Sequence, residues 1–152
     1  FQVGVIPGHR SSDSLTYDAL FDEIMLLYCG AQHPLFGTDS DRLAWSDLGT
    51  HQFAGLGYHS PNMEISQQVR LPRKATAFDQ GASATLILSG KFLGFLPDHY
   101  ADSFVRLGQM RAVKPSLFRY ACSFLGILRR SPQPSRATRL FQACLHEAHQ
   151  PA

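Results

Sequence analysis

Residues 81–97, GASATLILSGKFLGFLP, change from a helical to a strand-like spacing of apolar positions. Ala82, Thr85, Leu86 and Ser89 recur at i, i+3, i+4 and i+7, which is one helical face. Asp79 stands where an N-cap is needed, and Gly90 where a left-handed residue closes the last turn. Residues 92–96 are then a continuous apolar run, too short for a helix and stopped by Pro97, as expected of a strand covered on both faces. Helix, tight turn and buried strand make an α/β unit.

The same reading carried along the chain predicts a strand at 1–7 that enters a turn at Pro7-Gly8. Residues 15–28 read as two extended pieces divided by the polar pair Asp22-Glu23, the second being 24–28. Short strands are expected at 52–56, 74–78 and 110–113, and a long aromatic one at 118–128, central or nearly central in its sheet. Helical segments are expected as a single turn at 45–48, at 63–70, and at 98–107 with Asp98 as N-cap and Gly108 behind it. The clearest amphipathic helix comes last, where Ala137, Leu140, Phe141, Cys144, Leu145 and Ala148 repeat at i, i+3, i+4, i+7, i+8 and i+11. Such a stripe is expected to pack on a sheet. Strands alternating with helices, without internal repeats, predict an α/β fold with a largely parallel or mixed sheet.

Composition narrows the class. A chain of 152 residues allows one domain or two small lobes. With 44% hydrophobic and 17% charged residues it reads as a folded soluble protein, and no apolar run approaches the ~18 residues of a membrane span. Phe1 is not an initiator and the first residues lack the basic start and apolar core of a signal peptide, so a cytoplasmic fragment or processed chain is expected. Cys29, Cys122 and Cys144 are an odd number in apolar surroundings without a CxxC pair, which predicts buried, reduced thiols. The net charge of +2 divides into −5 over residues 1–60 and +7 over 61–152, but the basic residues are scattered, which favours a solvated or self-association face over a nucleic-acid surface.

Candidate chemistry is sparse. Cys29 and His33 are four residues apart and His51 and His59 eight apart, spacings that match no zinc pattern. Cys29 has no visible activating partner, and neither a GxSxG elbow nor a phosphate-binding glycine loop is present. No catalytic residue, metal ligand or cofactor is therefore expected. What remains is the binding chemistry of open α/β sheets, beyond strand carboxyl ends and at helix N-termini. Pro7 and Gly8, Gly57 and Tyr58, and Asp79 and Gln80 occupy such positions, although each singly also reads as an ordinary turn or cap.

Residues 89–101, SGKFLGFLPDHYA, together with GVIP at 4–7, YCGAQHPLF at 28–36 and the final strand and helix, resemble the effector-binding domain of LysR-type transcriptional regulators, in this order over nearly the whole chain. The resemblance implies a type 2 periplasmic-binding-protein-like fold, two lobes with mixed sheets crossed twice by the chain, residues 1–30 and 97–152 in the first and 31–96 in the second. It implies a small-molecule effector in the cleft, with Pro7, Tyr58 and Gln80 among its walls and Phe95 at the second crossing. It also implies a homodimer or tetramer, and DNA contact only through an N-terminal helix-turn-helix domain outside this chain. Two further strands and helices that open the family's domain have no counterpart before Phe1, so the first lobe is expected to be incomplete. A periplasmic-type solute-binding protein, and less so a small enzyme using Cys29 or a histidine, are the alternatives.

Overall fold

A computed structural model describes residues 2–8 and 11–149. In chain order the elements are β1 (Val3–Pro7), β2 (Leu15–Gly30), a 3-10 helix (Trp45–Thr50), β3 (Gln52–Leu56), α1 (Pro61–Gln68), β4 (Arg73–Ala77), α2 (Gln80–Leu88), β5 (Phe92–Pro97), α3 (Asp98–Arg106), β6 (Met110–Ala112), β7 (Arg119–Arg129) and α4 (Arg136–Ala148). The expected strand at 1–7 is β1; Phe1 lies outside the described residues. The chain forms two compact units, residues 1–23 with 121–152, and residues 24–120.

In the first unit β1 pairs antiparallel with β7, Val3 opposite Leu128 and Pro7 opposite Phe124, and β7 neighbours β2. The expected break at Asp22-Glu23 does not occur, and β2 runs unbroken. Asp22 points to solvent, and a polar side chain there leaves the backbone ladder intact. Helix α4 departs further from expectation. Most of its apolar stripe is not packed on a sheet: Leu140 is 65% exposed and Phe141 51% exposed, Ala137, Cys144 and Ala148 are exposed with them, and Leu145 is half-buried. The helix is held instead by its adjoining polar side, where Thr138 is buried and donates to Gln2, and Gln142 donates to Asp18. Cys144 is accordingly exposed, unlike Cys29 and Cys122; all three thiols are free.

In the second unit β3 runs parallel to β4 and β5, while β5 pairs antiparallel with the end of β2, Leu27 opposite Phe95. Strand β6 adds to β2. Every residue of β5 except Phe92 is buried, because both of its faces are covered. On one side Leu96 packs with Tyr28, Ala84, Ile87, Ala101 and Met110 beneath α2 and α3. On the other Phe95 lies against Phe53 at 5.9 Å and Tyr120 at 5.1 Å, and Trp45 sits 4.7 Å from Phe118. Among the described residues no helix is long and apolar enough to cross a membrane.

Local signals explain most boundaries. Helix α1 starts earlier than the apolar pattern indicated, because Ser60 caps it through Met63 N and Pro61 takes the first helical position. Asp79 caps α2 as expected, its Oδ1 accepting from Ala82 N at 2.7 Å, and Gly90 has the left-handed φ of 72°. The buried face of α2 is Ser83, Ala84 and Ile87, not the expected Ala82, Thr85, Leu86 and Ser89. Close approach selects it: a Cβ on Gly94 of β5 would sit 2.8 Å from Ile87 Cδ1, so the helix rests on the strand where the strand has no side chain. For α3 the cap position falls on Pro97, and Asp98, the expected N-cap, is the first helical residue, bonded through Oδ1 to the neighbouring His99 amide.

Candidate functional site

Because β3 and β4 are parallel, their carboxyl ends lie side by side. Gly57 N donates to Ala77 O at 2.8 Å, which ties the turn after β3 to the end of β4. A Cβ on Gly57 would stand 2.6 Å from both the Phe78 ring and Thr76 Cγ2, so only glycine lets the two chains pass at this distance. Asn62, buried at the start of α1, accepts from Leu56 N at 3.0 Å and fixes the same turn from the other side. The structure thus brings Gly57 and Tyr58 to the edge that leads into Asp79 and Gln80. Two aromatic rings stand partly in solvent there, Tyr58 at 43% and Phe78 at 71% exposed. Phe78 escapes the sequence reading because an apolar residue closing a strand signals core.

The start of α2 is only partly available to a ligand. Asp79 Oδ1 occupies the Ala82 amide and Asp79 O accepts from Ser83 N at 3.1 Å. The Gln80 side chain has the opposite character: its Oε1 is buried and has no hydrogen-bond partner. A buried acceptor left unpaired costs about 1–3 kcal/mol. Tyr100 of α3 comes close as well, since a Cβ on Gly81 would lie 3.8 Å from its hydroxyl. Nothing in the sequence around Tyr100 marks it. An open groove of about 380 Å3 lined by Asp98, His99 and Asp102 lies on the same helix. Those two carboxylates, after burial itself, push the Tyr28 phenol up to about 12.

The other expected positions sit differently. Phe95 is 2% exposed and committed to the aromatic cluster. Pro7 and Gly8 end β1 in the first unit, where Gly8 N donates to Ser123 O at 2.7 Å. That unit also carries a cavity of about 280 Å3 lined by Gln2, Arg129, Pro132, Gln133, Pro134 and Ser135. Among the described residues no group of three or more His, Cys, Asp or Glu gathers as metal ligands would. Burial pushes the Cys29 thiol up to about 11, against a smaller opposing effect of Arg111, and raises Cys122 as well, with Glu23 and Asp22 adding to it.

Residues 1–150 match the family described as the LysR substrate binding domain. The chain belongs to that family. This LysR substrate-binding domain is 32% identical over 139 residues to the HTH-type transcriptional activator BauR of Pseudomonas aeruginosa, a match covering 91% of this chain and 46% of BauR. It therefore spans about half the length of that curated relative. Among solved structures it is similar to the CcmR regulatory domain of Synechocystis PCC6803 in complex with 2-PG, with a TM-score of 0.78, 14% identity, and coverage of 98% of this chain and 74% of that one. The effector domain of AmpR from Pseudomonas aeruginosa follows at a TM-score of 0.71 and 15% identity, covering 96% and 71%. Full-length HypT from Salmonella typhimurium gives 0.74 at 10% identity, covering 97% and 52%. At these identities the structures speak for the fold, which is mixed α/β of the type 2 periplasmic-binding-protein-like class. Family membership favours the regulatory domain over the exported solute-binding protein.

Proposed function

We propose that this LysR substrate-binding domain senses a small polar effector at the carboxyl ends of β3 and β4 and the start of α2, using Gly57, Tyr58, Asp79 and Gln80. The observation that carries the reading is the buried, unpaired Gln80 Oε1 beside the paired strand ends. An acceptor of that kind calls for a ligand with an N–H or O–H donor. The Asp79 carboxylate is exposed nearby and already takes an amide of α2, which favours a neutral or cationic donor group over a simple anion. Pro7 and Gly8, which the family resemblance implies as cleft residues, stand at the end of β1 in the first unit and are not part of this reading. Phe95 acts by holding the strand beneath it.

The domain works by differential affinity for two arrangements of the regulator, and the shift is read by a DNA-binding domain outside this chain. It operates as a homodimer or tetramer in the cytoplasm. It is a binding module and not an enzyme: the Cys29 thiol, raised to about 11, is a poor nucleophile at neutral pH. Calorimetric titration with amines, amides and hydroxy compounds against matched simple carboxylates tests the reading. Binding confined to donor-bearing molecules and weakened about tenfold by Gln80→Leu, one hydrogen bond's worth, supports it. Tight binding of simple acids that Gln80→Leu leaves unchanged contradicts it.

A further inference from the structure

Strand β3 runs parallel to β5 as well as to β4, with Gln52 opposite Phe92, so the end of β5 and the start of α3 share an edge with the ends of β3 and β4. Between α2 and α3 this edge has a notch at Gly81. The residue is exposed and stands second in α2, where glycine weakens a helix relative to alanine. Packing does not demand it, because a Cβ there would meet Asp79 Oδ1 at 3.3 Å and the Tyr100 hydroxyl at 3.8 Å. The space left by the missing side chain is therefore faced by a carboxylate oxygen and a phenol oxygen from two different elements. We infer that this notch is a specificity subsite for a protonated amine of the effector, with Asp79 and Tyr100 as its contacts.

The inference rests on the function proposed above and names the chemical class of the donor group. A nitrogen with two or three hydrogens donates to both oxygens at once, whereas a hydroxyl has a single hydrogen to give. Asp79 spends one interaction on the Ala82 amide, and a carboxylate has about four acceptor positions, so capping the helix and holding a ligand are compatible. Charge then selects an ammonium over a neutral amide. The first turns of α2 and α3 carry Asp79 and Asp98 and no lysine or arginine, and a hydrogen bond between two ionised groups is about twice as strong as a neutral one. Arg73 Nη1 donates to Leu56 O at 3.1 Å at the end of β3, and Arg106 pairs with Asp102 further along α3. The Tyr100 ring is braced by Phe104 at 6.2 Å, and the exposed rings of Tyr58 and Phe78 stand at the neighbouring strand ends, where aromatic faces attract a cation.

Amide NMR titrations of the whole chain at neutral pH with butylamine, butanol and butyrate, which share one skeleton, test the inference. Butylamine should shift residues 79–82 and bind at least about tenfold more tightly than butanol, with butyrate weakest. Asp79→Asn keeps a capping side chain and removes the charge, and should erase the preference for amine over alcohol. Tyr100→Phe should weaken the amine several-fold. Gly81→Leu should fill the notch and abolish amine binding in a chain whose spectrum remains folded, while Gly81→Ala should raise the denaturation midpoint. Butanol that binds at residues 79–82 as tightly as butylamine, unaffected by Gly81→Leu, overturns the amine subsite and leaves a donor-binding site in place. Shifts absent from residues 79–82 with every compound overturn the subsite and the proposed effector site together.

Discussion

His33 is 5% exposed, and its Nδ1 accepts the Leu35 amide hydrogen at 3.1 Å, which only an unprotonated nitrogen can do. Burial, and then the neighbouring His51 ring at 5.1 Å, hold its pKa below the ordinary 6.5. The unfolded chain therefore takes up this proton first as pH falls. The contribution of His33 to stability is complete above 6.5, is lost as pH drops from 6.5 toward the depressed folded value, and levels off below it. Denaturant melts of the wild type and His33→Asn at several pH values should show a slope in that window which the variant lacks. The thiols give a second check at this scale: a maleimide at pH 8 should label exposed Cys144 in the native chain and leave buried Cys29 and Cys122, both with raised pKa, until unfolding. Gly90→Ala should cost about 1–2 kcal/mol in a chemical melt for its left-handed φ alone, with contact against Gln32 Cβ at 2.8 Å adding to it. The Asp79 cap and the Gly90 turn were legible in the sequence because each depends on a few adjacent residues. The unpaired Gln80 oxygen was not, since it depends on what α2 packs against.

Strand β5 and helix α4 show the two outcomes of apolar patterning. The run at 92–96 is read correctly as covered on both faces, because an uninterrupted apolar strand has no polar face to present. Phe95→Ala should cost about 3–5 kcal/mol in a denaturant melt, as expected for an aromatic removed from a packed cluster. The stripe of α4 is equally clear in the sequence, yet Leu140→Ala should change stability by less than about 0.5 kcal/mol at concentrations where the chain is monomeric, since Leu140 is 65% exposed. Periodicity fixes which residues share a face and leaves open what covers that face. The rotated buried face of α2 has the same origin: small residues at Ser83 and Ala84 and the bare Gly94 decide the contact, and none of them scores as strongly apolar. Asp98 illustrates the limit on caps, because the helix begins one residue earlier than a side-chain cap would require.

At the scale of the molecule, alternation of strands and helices gave the α/β class, while the division into lobes came from resemblance. The mixed sheet follows from pairings distant in sequence, such as Leu27 with Phe95 and Gly55 with Thr76, which no local pattern encodes. The same holds for the site, where three sequence segments were marked by strand ends and helix starts, and the parallel pairing of β3 with β4 joins two of them. We propose that an effector carrying a hydrogen-bond donor binds at that junction. Two-dimensional amide NMR of the chain, titrated with the donor-bearing compound that binds most tightly, tests it directly. Saturable shifts concentrated at Gly57, Tyr58 and residues 79–82, and abolished by Gln80→Leu, are expected. Shifts concentrated instead around Gln2, Arg129 and Ser135, with residues 79–82 unmoved, would contradict it.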